Sequence, residues 1–284
     1  MSLWRYDWSV QIGTLLIRPG PINNFTVKFS VARSTGREPN SCQIQIANLS
    51  DARVQELEAM DNPAVSLRAG YVGAVDTIFS GNAPTVYTVH EIPNRWTKIE
   101  ASDAGDSYRS ATIERSFAAD TSVATVIAAC AEAMDVGMGN AASVAADAEL
   151  NSGGNTYATG TVLSGPAWRQ LDRVCNSCGL RWSVQSGVLQ LRARGRAAET
   201  SAVRLTPSTG LIGSPTRGEK DRRTRRVTYG ATSLMRPGLY PGRVVRIESR
   251  SVNANLLCKK TKHTGDTTGG DWIVEMELQE YEAA

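Results

Sequence analysis

Cys175 and Cys178 are the residues whose spacing first suggests chemistry, because a CxxC can serve as a thiol–disulfide couple or as half of a zinc site. A redox pair needs a stabilised thiolate, most often at a helix N-terminus. Trp168, Leu171, Cys175 and Cys178 recur at helical spacing ahead of Gly179. That places both thiols in the last turn of a helix, where the macrodipole opposes an anion, so they are expected to pack as part of an apolar stripe. Zinc requires more ligands at paired spacing, whereas His90, His263, Cys42 and Cys258 fall on separate expected strands. The string GMGNAA at 137–142 follows a helix instead of closing a strand, so it lacks the setting of a dinucleotide fingerprint. Asp103 and Asp106 sit in an expected turn as solvated charges, and no Ser, His and Asp arrangement is visible. No catalytic, cofactor-binding or metal-binding position is expected.

The densest charge run is RGEKDRRTRR, whose Arg217, Lys220, Arg222, Arg223, Arg225 and Arg226 could neutralise phosphates. Nucleic-acid readers usually add aromatic platforms or a recognised motif, and this run has neither. It reads as the end of a long basic loop, 205–226, that is either solvated or serves as a subunit-interface or channel loop; basic nucleic-acid binding or channel lining is the alternative. RSTGREPN, at 33–40, reads as a polar hairpin tip whose exposed backbone suits contacts with neighbours.

These groups must be positioned by a chain of 284 residues with 41% hydrophobic and only 6% aromatic side chains, enough for about two ordinary domains. The 25 glycines and 11 prolines point to many tight turns, and 2 histidines leave little imidazole chemistry. The net charge of +3 hides a neutral first third, an acidic middle and a basic final third. Arg5 and Asp7 interrupt the N-terminus before any apolar run, so no secretory signal is expected, nor is any stretch near the ~20 apolar residues of a membrane span. Five scattered cysteines fit reduced thiols and assembly in a cytoplasm.

Period-two alternation predicts strands throughout 8–101, as in Phe25, Val27, Phe29 and Val31 or Cys42, Ile44 and Ile46, with IFSG and PTVYTVH as separate strands. One short helix interrupts them, capped by Ser50 and burying Val54 and Leu57, which is expected to plug one end of a barrel. The middle predicts a helix capped near Asp120, Thr121 or Ser122, a mobile loop over 138–165 holding one Ala-rich helical turn, a second helix from about Ser164 and Pro166, and a hairpin turning at Ser186 and Gly187. Beyond Arg192 strands return. The fold class is mainly β with an α/β insertion: 1–104 β, 105–195 α/β and 196–284 β. The two β regions also align with each other, Val65 over Val244, Ile78 over Leu256 and Trp96 over Trp272, which predicts one β module used twice.

The order of CQIQIANLSDARVQELE, VSLRAGYVGAVDTIFSGNAPTV, IEASDAGDSYRSATIERSFAADTSVATVIAACAEAMDVG, WRQLDRVCNSCGLRWSVQSGVLQLRARG and the C-terminal LTPSTGLIGSPTRGEKD, GRVVRIES and KKTKHTGDTTGGDWIVEMEL resembles the baseplate hub proteins of tailed bacteriophages, over about residues 10–280. The resemblance implies two tail-tube-like β-barrel domains flanking a small α+β domain. It implies a homotrimer with pseudo-sixfold symmetry that adapts the hexameric tail tube to a trimeric spike or tail-tip protein, leaving a channel for the genome. Further implied partners are baseplate wedge proteins and DNA only in transit, in the tail baseplate of a virion assembled in the host cytoplasm. No active-site motif and no cofactor come with it, and the short chain implies a separate spike protein.

Overall fold

The computed structural model describes residues 5–20, 25–36, 39–103, 110–193, 199–220 and 225–280. The alternating apolar pattern of the first hundred residues folds as β1 (Tyr6–Ile12), β2 (Leu15–Ile17), β3 (Val27–Ser34), β4 (Ser41–Ala47), β5 (Ala64–Tyr71), β6 (Ala74–Glu91) and β7 (Asn94–Ser102). Helix α1 (Asp51–Glu58) follows β4 and buries Val54 and Leu57, as the sequence predicts; Ser50 is its N-cap but makes no side-chain capping bond. IFSG and PTVYTVH belong to the single long strand β6. Pro84 is tolerated there because the β6–β7 register shifts between Asn82 and Thr85, where a ladder hydrogen bond is not required.

The middle region comprises β8 (Thr112–Phe117), β9 (Thr121–Ser122), α2 (Val123–Ala133), α3 (Ala141–Ala146), β10 (Thr156–Tyr157), β11 (Thr161–Pro166), α4 (Ala167–Ser177), β12 (Leu180–Gln185) and β13 (Val188–Ala193). Ser122 caps α2 by accepting from the Thr125 N–H. Ser186 and Gly187 both take positive φ in the β12–β13 turn, the conformation that a two-residue hairpin demands. The Ala-rich helical turn expected within 138–165 is α3, but the stretch is not otherwise all loop, because it also holds β10 and β11; β11 pairs along its whole length with β8, which lies far upstream. This region has its own core, in which Ile127, Met134, Leu163 and Leu171 are fully buried.

The C-terminal strands are β14 (Glu199–Leu205), β15 (Leu211–Lys220), β16 (Val227–Leu234), β17 (Arg243–Glu248), β18 (Asn253–Asp266) and β19 (Trp272–Glu280). The long basic loop expected over 205–226 is therefore largely structured: Pro207–Thr209 form a 3-10 turn and Leu211–Lys220 a strand. Glycine, proline and charge lower the β-propensity of LIGSPTRGEK, but a strand paired on one side only accepts them.

Among the described residues the N- and C-terminal strands form one sheet of 13 strands over one apolar cluster. Its two halves repeat one strand order. Apart from the short β2, which pairs with β1 beyond it, the N-terminal half runs β1, β5, β6, β7, β4, β3, and the C-terminal half runs β14, β17, β18, β19, β16, β15. One strand differs in sense, since β1 is antiparallel to β5 and β14 parallel to β17. The irregularity in β6 before Thr85, opposite Glu100, recurs in β18 before Lys260, opposite Glu277. Aligned on those pairs, Trp96 and Trp272 are out of register by one residue. A slip of one turns a side chain to the other face of a sheet, and accordingly Trp272 belongs to the apolar cluster and Trp96 does not.

Candidate functional site

The two halves meet where β3 lies between β4 and β18. The strands run antiparallel from Lys28 opposite Asp266 to Ser34 opposite Lys260. Thr267 closes one end: the Val27 N–H donates to its Oγ1 at 2.9 Å, its N–H donates to the Val27 carbonyl at 3.1 Å, and its hydroxyl donates to the Phe25 carbonyl at 3.1 Å. Lys28 Nζ lies 3.4 Å from the Asp266 carboxylate and 5.4 Å from the centre of the Trp96 ring. Gly265 is required there, because a Cβ at that position would lie 2.2 Å from the Phe29 ring and 2.8 Å from that of Trp272.

Trp272, 3% exposed, ties the halves together beneath the strands. Its ring stacks on Tyr6 at 4.6 Å and meets the Phe29 ring edge-on at 5.3 Å, while its indole N–H donates to the Gly70 carbonyl at 3.1 Å. One residue of β19 thus contacts β1, β3 and β5.

Charged groups are also buried along this junction. Burial holds the Arg33 guanidinium below its ordinary pKa, partly countered by the Asp103 carboxylate. Asp103 is 5% exposed and accepts from the Asn40 N–H at 2.8 Å and from its side-chain amide at 2.6 Å. The expectation of a solvated turn charge at Asp103 is corrected by this pairing, and Asp106 lies outside the described residues. Asn40 in turn accepts the Ser34 N–H at 2.9 Å. The 33–40 tip is therefore anchored by polar contacts at both ends, buried at Asn40 and partly buried at Ser34. His263 is fully buried and pushed down to about 3, first by burial and second by Arg33, so its imidazole is neutral at physiological pH.

The basic residues singled out from the sequence do not share one loop. Arg217 and Lys220 stand exposed on β15; Arg225 and Arg226 precede β16, the first exposed and the second half-buried. Arg222 and Arg223 lie outside the described residues. The CxxC lies at the C-terminal end of α4, with Cys175 buried and Cys178 half-buried. Burial raises the pKa of both thiols, with Cys178 and Cys130 reinforcing the effect at Cys175. Burial likewise lifts Cys130 and Cys258 to about 12. These thiols are protonated at neutral pH and are poor nucleophiles. Among the described residues no three His, Cys, Asp or Glu side chains gather as metal ligands, and no helix is long and apolar enough to cross a membrane.

His263 was not distinguished from the other histidine by the sequence pattern, yet a signal exists. In KTKHTGD the histidine takes the alternate position shared by Thr261 and Gly265, opposite in parity to the exposed lysines Lys260 and Lys262.

No family model matches the chain, and no curated protein matches it by sequence. Solved structures do match it. A tail protein from Neisseria meningitidis MC58 is similar with a TM-score of 0.64 at 11% identity, covering 98% of this chain and 97% of that one. The 43 kDa tail protein of prophage MuSo2 from Shewanella oneidensis gives 0.65 at 7% identity, covering 96% of each chain. An E. coli component of the type VI secretion system, described as structurally similar to the T4 bacteriophage tail proteins gp27 and gp5, gives 0.60 at 10% identity over 96% of this chain and 77% of that one. The fold is that of these phage tail proteins. At such low identity a shared fold is carried by which positions are apolar and how the strands are ordered, not by particular side chains.

Proposed function

We propose that this chain is a structural, non-enzymatic hub subunit of a phage-type tail baseplate. Three copies form a ring of pseudo-sixfold symmetry that joins a hexameric tail tube to a trimeric spike or tail-tip protein and leaves a channel for the genome. The observation that carries the reading is the repeated strand order of the two β halves. A chain that contributes two like modules presents six modules per three copies, and so can match a sixfold partner on one side and a threefold partner on the other. In this reading residues 1–104 and 196–284 are tail-tube-like β-barrel domains around an insertion at 105–195. The tail-protein fold supplies the setting, with wedge proteins as outer neighbours and the virion tail, assembled in the host cytoplasm, as its place.

The exposure of Arg217, Lys220 and Arg225 favours a second role, in which this edge and its neighbours Arg222, Arg223 and Arg226 line the channel and touch DNA in transit. Electron microscopy and light scattering of the full chain, alone and mixed with the tube and spike proteins of the same phage, test the main reading. Rings of three are expected, and a strict monomer in the presence of both partners overturns it. For the channel role, DNA retardation at low salt is expected to disappear when Arg217, Lys220, Arg225 and Arg226 become Ala; absence of retardation in the unaltered protein dismisses it.

A further inference from the structure

The β3–β18 junction joins the first module to the second inside one chain, and the strand order leaves the complementary pair of edges open. In the C-terminal half the strand equivalent to β3 is β15, which pairs with β16 and, among the described residues, with no other strand. In the N-terminal half the strand equivalent to β18 is β6. Its residues 74–82 pair with β5, while on that same side residues 85–91 pair with nothing among the described residues. We propose that the outer edge of β15 adds antiparallel to the Thr85–Glu91 edge of β6 in a second copy of this chain. This rests on the ring reading above and names the contact that would close the ring.

The register follows from the sheet itself. Ser30, Gln43, Glu100 and Thr85 form one column across the first half, and Thr216, Gly230, Glu277 and Lys260 form the matching column in the second. Inside the chain Ser30 faces Thr264, four residues past Lys260; the same step past Thr85 reaches Val89. Thr216 therefore faces Val89 of the second copy, and Arg217 faces Thr88. By the same columns Ile212, the counterpart of Lys28, faces Glu91, the counterpart of Asp266. The two edges are suited to this. Pro215, which has no N–H to donate, sits in the irregularity between Ile212 and Thr216, and Pro84 sits just outside Thr85, so neither is asked for a bond in the join. Large apolar side chains are exposed where the join would cover them: Tyr87 at 38%, facing the irregularity at Gly218 and Glu219, and Ile212 at 42% beside Ile92 at 98%. Strand addition supplies main-chain hydrogen bonds, and these side chains supply the apolar contact.

Cysteine pairs read the register directly. In full-length protein carrying Cys178→Ser, to remove the half-exposed thiol, the combination Thr216→Cys with Val89→Cys is expected to oxidise to covalent dimers and closed trimers on non-reducing gels. Ile212→Cys with Glu91→Cys is expected to do the same. The control, Thr216→Cys with Thr85→Cys, places the thiols roughly 13 Å apart along the strand and should stay monomeric. Rings by microscopy without in-register cross-links overturn the strand pairing and leave the hub reading standing. Cross-linked trimers that never enter tail particles with tube and spike proteins uphold the pairing and overturn the hub reading. Equal cross-linking by the control, or none by either pair at concentrations where the chain self-associates, overturns the pairing, as does failure to self-associate with tube and spike present.

Discussion

Replacing Trp272 by alanine asks whether the two β halves are one cooperative structure. The indole is almost fully buried against Tyr6, Phe29 and the Gly70 carbonyl. A tryptophan removes roughly 200 Å² from water, worth about 5 kcal/mol at ~25 cal/mol per Å² as an upper bound, since denatured chains already bury some of it. Large-to-small aromatic replacements in cores cost about 3–5 kcal/mol, and that is the expected loss for Trp272→Ala. Trp272→Phe keeps most of the apolar body and gives up the hydrogen bond to Gly70, for about 1–2 kcal/mol. Equilibrium urea unfolding measures both, and native-state hydrogen exchange locates the effect. Protection should fall together in β1 and β5 of the first half and in β18 and β19 of the second, while α2 and α4, which have a separate core, keep theirs. A loss below about 1 kcal/mol for Trp272→Ala, or a loss of protection confined to the C-terminal strands, would refute the shared core.

Three further outcomes follow from the same packing. His263 is neutral in the fold and accepts a proton only near pH 3, whereas an unfolded histidine does so near 6.5, so the unfolded state binds more protons between those values and stability is lost as pH falls through that window. Wild type should lose up to about 1.4 kcal/mol per pH unit relative to His263→Leu below 6.5 and run parallel to it above 7; parallel urea midpoints throughout would contradict the assignment. Gly265→Ala should destabilise by about 1–3 kcal/mol by driving a methyl into the Phe29 and Trp272 rings, and thermal melts matching wild type would show that the junction is looser than its geometry. With a thiol reagent at mildly alkaline pH, Cys178 should react first and Cys42, Cys130, Cys175 and Cys258 only on unfolding. A second fast thiol in the folded protein would count against their burial.

Much of the local structure was legible because it depends on neighbours in the chain. Ser186 and Gly187 announce a turn that needs positive φ twice, Ser122 announces a capped helix, and Val54 with Leu57 announces one buried helical stripe. The strands of the first hundred residues follow from alternation alone. What failed was decided at a distance. β11 reads as loop in the sequence because its partner β8 lies more than forty residues upstream in the chain. β15 reads as loop in the sequence because an edge strand can hold Pro215, glycines and charges that a doubly paired strand rejects. Asp103 looked like an ordinary turn carboxylate, and only Asn40, brought beside it by β3 and β4, makes it a buried acceptor.

By itself the sequence determined that the chain is mainly β with few helices, and it raised the suspicion that one β module occurs twice. Hydrophobic periodicity states which face of each element is buried, and the order of segments carries the resemblance to tail hubs. Tertiary structure alone decided that the two β regions share a sheet and a core, that Trp272 and not Trp96 binds them, and that, among the described residues, β6 and β15 are left with open edges. The physical reason is that alternation fixes a strand's faces but not its neighbours. Pairing is chosen by the whole set of strands competing to cover one apolar interior, and the edges left over after that competition are the surfaces offered to another copy.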